Sequence, residues 1–189
     1  MRDVLRIAIV GAESTGKTSL ALALRDRLAA TGLRVAAVDE VLREWCDARQ
    51  RTPRPHEQAA IAREQHRRID AAASGHEVVV SDTTALMTAV YSRYCFGDRS
   101  LEAEAVRAHR SMHATLLMAL DLPWQADGFQ RDGEHVREPV DTLLRELLTA
   151  HELPFSVIAG CGEQRVERAL QELRPMLPAR AAGRRPDRR

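Results

Sequence analysis

Val4-Leu5-Arg6-Ile7-Ala8-Ile9-Val10 runs into Gly11-Ala12-Glu13-Ser14-Thr15-Gly16-Lys17-Thr18, which opens Ser19-Leu20-Ala21-Leu22-Ala23-Leu24. The first run is apolar throughout, as a strand buried on both faces would be. The last has the spacing of a helix. Between them lies G-x-x-x-x-G-K-[ST], matched at every fixed position. A strand before it and a helix after it make the pattern a phosphate-binding loop. Gly11 and Gly16 let the backbone bend so that successive N–H groups point at one anion. The helix start adds a partial positive charge. Lys17 reaches the β- and γ-phosphates, and the Thr18 hydroxyl ligates Mg²⁺. Lys17 is the only lysine among 28 basic residues. A compact ammonium fits a phosphate cradle where a planar guanidinium does not.

Outward from this loop, the chain alternates. A helix over 17–31 ends near Gly32. A second strand, 33–38, ends at Asp39-Glu40, two carboxylates where an open α/β sheet places its ligands. Helical segments follow at 41–51 and 56–74, split by Thr52-Pro53-Arg54-Pro55. The second carries Arg63, Arg67 and Arg68, a stripe read as a solvated face rather than a phosphate site. His76 to Asp82 is a third strand with an acid at its end, the arrangement that holds Mg²⁺ directly or through water. Capping of the next helix is the other reading of Asp82, and Thr83 and Thr84 qualify for it equally. The helix of 84–96 carries Tyr91, Tyr94 and Phe96, which suit either a pocket for a flat ring or the core. A helix over 100–112 precedes a fourth strand, 113–121. Residues 122–137 are polar and glycine-containing, without a helical period, at the place of a mobile lid. Arg131 and Arg137 are its candidates for neutralising the γ-phosphate. A helix over 139–151, a fifth strand over 154–159, the turn Gly160-Cys161-Gly162 and a helix over 163–176 complete the pattern.

Strands alternating with helices predict a parallel sheet covered on both faces. With the loop, this is an α/β P-loop NTPase fold: a three-layer sandwich, five strands, kinase-like, with a lid. The chain of 189 residues predicts one domain over 1–177 and a disordered basic tail over 178–189. Its net charge of +1 argues against a nucleic-acid or membrane partner. The sequence has no apolar run of transmembrane length, and its N-terminus enters the first strand without room for a signal peptide. Cys46, Cys95 and Cys161 are scattered, as in a reducing cytoplasm rather than a disulfide frame or zinc site. The sequence leaves the oligomeric state open.

The loop, Asp39-Glu40 with Arg43-Glu44, the helix around Gln65, Ser81-Asp82-Thr83, and Asp121-Leu122-Pro123-Trp124 with Asp127-Gly128 and Arg131 together resemble the ribosylnicotinamide kinase domain of the NadR type. The resemblance covers residues 5–177. It implies transfer of the γ-phosphate of ATP to the 5′-hydroxyl of nicotinamide riboside, giving nicotinamide mononucleotide. The chain departs from the family in two ways. It carries neither an adenylyltransferase domain nor a helix-turn-helix, and Val41-Leu42 follow Glu40 where aromatic neighbours are common. On this reading Gly11, Glu13, Ser14, Thr15, Gly16, Lys17, Thr18 and Ser19 bind ATP, and Thr18 and Asp82 serve Mg²⁺. Glu40, or Asp39, accepts the proton of the attacking hydroxyl. Arg43 holds acceptor or phosphate, with Glu44 orienting it. Trp124, Asp127 and Arg131 form the lid. Two other functions fit the same parts: a kinase for another nucleoside or small metabolite, and an ATP-dependent switch protein.

Overall fold

The computed structural model describes residues 4–125 and 133–178. Five strands form one sheet: β1 (Leu5–Val10), β2 (Val35–Val38), β3 (Val78–Asp82), β4 (Ala114–Met118) and β5 (Ser156–Ile158). Every pairing is parallel and the order is β2-β3-β1-β4-β5. β1 is therefore central. It pairs with β3 from Leu5↔Val78 to Ile9↔Asp82, and with β4 from Ile7↔Ala114 to Val10↔Leu117. The ends of β1 and β3 thus lie side by side, with the phosphate loop following one and Asp82 closing the other.

Seven helices cover the sheet among the described residues: α1 (Lys17–Ala29), α2 (Val41–Arg49), α3 (Pro55–Ala73), α4 (Ala85–Phe96), α5 (Glu102–His109), α6 (Arg137–Ala150) and α7 (Gly162–Leu173). Side chains of β1 alternate between two cores, as strand geometry requires. Ile7 and Ile9 join Leu20, Leu24 and Leu28 of α1 and Val166, Ala169 and Leu173 of α7. Ala8 and Val10 join Leu86 and Val90 of α4 and Val140, Leu144 and Leu148 of α6. No described helix is long and apolar enough to cross a membrane.

Local chemistry explains most element ends. Pro55 starts α3, and the Glu57 carboxylate accepts from the Arg54 N–H at 2.7 Å. Gly97, at φ +66°, stops α4. The last helical turn of α1 is shorter than its pattern suggests, and α6 starts at Arg137 rather than at Pro139. Proline is tolerated there because first-turn N–H groups have no partner within the helix. The connection from α2 to α3 is fastened by Arg51. Its guanidinium lies 4.8 Å from the Trp45 ring centre and makes two hydrogen bonds with Glu57, whose carboxyl is thereby lowered to about 2.

His109 is buried between two hydroxyls, with Nδ1 3.0 Å from Thr84 Oγ1 and Nε2 2.9 Å from Thr115 Oγ1. Burial pushes its pKa from 6.5 down to about 4. Between those values the unfolded chain binds a proton that the folded chain does not. Stability therefore falls as pH drops from 6.5 toward 4, with a slope approaching ~1.4 kcal/mol per unit from this group. Urea unfolding at pH 7 and pH 4.5 checks this: the wild type should lose more stability than His109→Gln. Equal losses would remove His109 as the cause.

Candidate active site

The phosphate loop is shaped by two glycines. Gly11 sits at φ +150°, and a Cβ there would stand 3.0 Å from Met118 Cβ, so the loop lies directly on β4. Gly16 takes the left-handed conformation, φ +78°, at the start of α1. The first turn of α1 holds no acidic residue, so its positive end is not neutralised. Ser14, Thr15, Gly16, Lys17, Thr18 and Ser19 line one cleft, with about 540 Å³ of water-accessible space. Lys17 Nζ donates to the Ala12 carbonyl at 2.8 Å, and Thr15 Oγ1 donates to the same oxygen at 2.8 Å. Ser14 Oγ donates to the Gln125 carbonyl at 2.8 Å, tying the loop to the start of the lid segment. Gly11 is buried under this cleft and Glu13 faces a different one.

Asp82 belongs to the loop rather than to a helix cap. Its Oδ2 accepts from Thr18 Oγ1 at 2.5 Å. Thr84 caps α4 instead, its Oγ1 accepting from the Leu86 N–H at 3.3 Å. The other Asp82 oxygen, Oδ1, is buried without a hydrogen-bond partner among the described residues. A buried carboxylate oxygen beside a hydroxyl, at a phosphate cradle, is the hard-oxygen donor set that suits Mg²⁺, which draws its remaining ligands from phosphates and water. The residues present fit that ion.

A second cleft, with about 210 Å³ of water-accessible space, adjoins the first. Its polar lining includes Glu13, Lys17, Glu40, Arg43 and Thr83. Its less polar lining includes Leu42, Pro53, Met87, Tyr91, Cys95 and Phe96. Lys17 and Arg43 line both clefts, so the two meet at those cations. Glu40 reaches this cleft, with Oε2 3.7 Å from Arg43 Nε. Asp39 is exposed and does not line it. Of the three aromatic residues on α4, Tyr91 and Phe96 line the cleft, and Tyr91 and Tyr94 both pack against the core. Met87, Tyr91 and Cys95, four residues apart, share one helix face.

One expected pairing is different. Glu44 does not orient Arg43; its carboxylate pairs with Arg68 at 2.7 Å. Neighbours one residue apart on a helix point about 100° apart and cannot face each other. Arg67 and Arg68 both pair with Glu64, which places the arginine stripe of α3 on an ion-paired surface. Trp124 is partly buried, while Asp127, Gly128 and Arg131 of the lid lie outside the described residues, as does the tail over 179–189. Arg137 is buried, with Nε and Nη2 lacking partners among the described residues.

Three residues with work at this site were not singled out by their chemistry. Gln65 of α3 is buried; its Oε1 accepts from the Val41 N–H at 2.8 Å, and its Nε2 donates to the Asp39 carbonyl at 3.2 Å. One amide thus grips the backbone on both sides of Glu40. Gln58, one face along, is buried in the second cleft with Oε1 unpartnered among the described residues. Arg165 of α7 donates to the Thr15 carbonyl and pairs with Asp121, whose carboxylate also accepts from the Gly160 N–H at 2.5 Å. Burial pushes the Asp121 carboxyl up, but the Gly160 N–H and the Arg165 charge outweigh it and hold the carboxyl below its usual range. The signal for Arg165 was present: helical spacing puts it on the apolar face with Val166, Ala169 and Leu173.

A parallel sheet whose central strand feeds a glycine-cornered loop, with a lysine opening the next helix and an acid closing the adjacent strand, defines a P-loop nucleotide-binding domain of kinase-like build. The model of the AAA domain family matches residues 6–165, and the chain belongs to that family. No curated protein matches its sequence. Among solved structures, NadR protein in complex with NAD and AMP-PNP aligns with a TM-score of 0.74 at 17% identity, covering 99% of this chain and 52% of that one. NadR protein in complex with NR aligns with a TM-score of 0.73 at 17% identity, covering 92% and 49%. The chain thus spans about half the length of the NadR proteins it matches. Deoxyadenosine kinase from M. mycoides, with its products dCMP and dCDP, aligns with a TM-score of 0.63 at 13% identity, covering 90% and 100%. At these identities the likeness is one of fold.

Proposed function

We propose that this protein is an ATP-dependent small-molecule kinase whose preferred acceptor is nicotinamide riboside, phosphorylated at its 5′-hydroxyl. The observation that carries the reading is the meeting of two clefts at Lys17 and Arg43. One cleft is built for phosphates. The other is lined by both polar and apolar or aromatic side chains, which suits an acceptor with sugar hydroxyls and a flat ring. A positively charged pyridinium ring gains further from the faces of Tyr91 and Phe96 and from the nearby Glu13 and Glu40. The carboxamide of that ring finds a buried acceptor in Gln58 Oε1.

In this mechanism the loop N–H groups and Lys17 hold the β- and γ-phosphates. Thr18 and Asp82 would hold Mg²⁺, which would supply positive charge against the phosphates. Glu40 takes the proton of the acceptor hydroxyl as its oxygen bonds to the γ-phosphorus. The bond from that phosphorus to the β-phosphate oxygen breaks, and ADP leaves with the electron pair. Arg43 and Arg137, with Arg131 of the lid, neutralise charge on the transferring group. A cytoplasmic location, where ATP is at hand, goes with this reading.

The test is ADP formation from ATP·Mg²⁺ with nicotinamide riboside and a panel of nucleosides and small alcohols. Strong stimulation by nicotinamide riboside, with nicotinamide mononucleotide as product, is the expected result. Preference for a deoxynucleoside instead would favour the second reading, to which the full-length likeness to deoxyadenosine kinase lends weight. ATP binding with no stimulation by any acceptor would overturn both in favour of a nucleotide switch.

A further inference from the structure

We propose that Thr83 is an acceptor-binding residue whose hydroxyl hydrogen-bonds a sugar hydroxyl of the acceptor beside Glu40. The inference rests on the kinase reading but not on which acceptor is used. Thr83 lies one residue past Asp82 and lines the second cleft with Glu13, Lys17 and Glu40. It is 4% exposed, and its Oγ1 has no hydrogen-bond partner among the described residues. A buried hydroxyl left unpaired is unfavourable, and such a group facing a cleft points to a ligand that completes it.

The backbone tells the same story independently. Thr83 has φ +72°, in the left-handed region. A β-branched residue is a genuine outlier there, and glycine would take the conformation freely. Helix capping does not account for the threonine, because Thr84 does that work. The strained backbone is held from both sides. The Thr83 N–H donates to the Ile9 carbonyl at 2.9 Å, and the Thr83 carbonyl accepts from Ser81 Oγ at 2.6 Å. Ser81 Oγ in turn accepts from Gln65 Nε2 at 3.3 Å, from the same amide that grips the chain around Glu40. Thr83 and Glu40 are therefore set by one buried network. Strain maintained this way and directed at a cleft belongs with ligand contacts. A hydroxyl both donates and accepts, so Thr83 orients an acceptor hydroxyl without competing for its proton.

The experiment compares Thr83→Val, Thr83→Ala and Thr83→Ser with the wild type, using whichever acceptor of the panel the wild type phosphorylates best. Valine keeps the branched shape and removes the O–H. Alanine removes it with less strain, should the valine variant fold poorly. The expected result is that valine and alanine raise the acceptor KM about tenfold or more, the scale of a ligand hydroxyl left unpaired. The KM for ATP stays at the wild-type value, and serine restores the acceptor KM. A folded valine or alanine variant with the wild-type acceptor KM would overturn the proposal. So would an equal rise in the KM for ATP, which marks a structural role. A wild type that phosphorylates nothing overturns the kinase reading, and Thr83 with it; that failure shows in the wild type alone and is not confused with the others.

Discussion

Lys17→Ala should lower kcat/KM for ATP by about 10³-fold. The ammonium is one of two cations lining both clefts, so it is placed to follow the γ-phosphate from ATP toward the acceptor. Removing a single preorganised donor from such a transition state commonly lowers the rate by about 10²–10³-fold, and a full positive charge opposite phosphate sits at the upper end. The fold should survive. The side chain's hydrogen bond goes to the Ala12 carbonyl, which also accepts from Thr15 Oγ1, and alanine suits the first turn of a helix. Lys17→Arg should not rescue turnover, because the planar guanidinium is too broad for the cradle. Steady-state kinetics and ATP calorimetry check this, with circular dichroism as the control for folding. Normal turnover by the alanine variant would take the loop out of the mechanism.

Glu40→Gln should lower kcat by about 10²–10⁴-fold, the usual range for losing a positioned general base. ATP affinity should stay within about twofold, since Glu40 lines the second cleft and not the one around the phosphate loop. Glutamine matches the carboxylate in shape but cannot take a proton, so the acid limb of the pH–rate profile should vanish along with the rate. Asp39→Asn should have little effect, because that side chain is exposed and the backbone carbonyl that Gln65 holds is kept. A fully active Glu40→Gln enzyme would move the base elsewhere; a fully inactive Asp39→Asn enzyme would exchange the two roles.

The parts legible in the sequence are those that depend on neighbouring residues. Strands buried on both faces of a parallel sheet read as apolar runs, so β1, β3 and β4 stand out, and the loop carries its own spacing. The Thr18–Asp82 contact follows, because the fold class fixes which strand end lies beside the loop. Strand order was not legible: alternation of strands and helices limits handedness, not the order β2-β3-β1-β4-β5. The second cleft was legible only in fragments. Its walls come from α2, α3 and α4, and only tertiary packing decides that Tyr91 reaches the cleft as well as the core, while Tyr94 meets the core and does not line the cleft. Nothing in Ser81-Asp82-Thr83-Thr84 announces which threonine caps and which takes a left-handed backbone.

The close approach of Gly11 to Met118 bears on how the molecule is made. The loop is made well before the strand it rests on, which follows after roughly a hundred further residues; the bond from Arg6 N to His113, near the start of that strand, spans 107. Arg165, which fastens the Thr15 carbonyl, comes later still, 150 residues beyond it. A nascent chain carrying the complete motif therefore lacks the surfaces that shape it. A nucleotide has no formed site until α7 has been made, so on the kinase reading ATP would stabilise the finished domain and not its intermediates. A fragment ending before α7 should keep every residue of the loop and still bind ATP poorly.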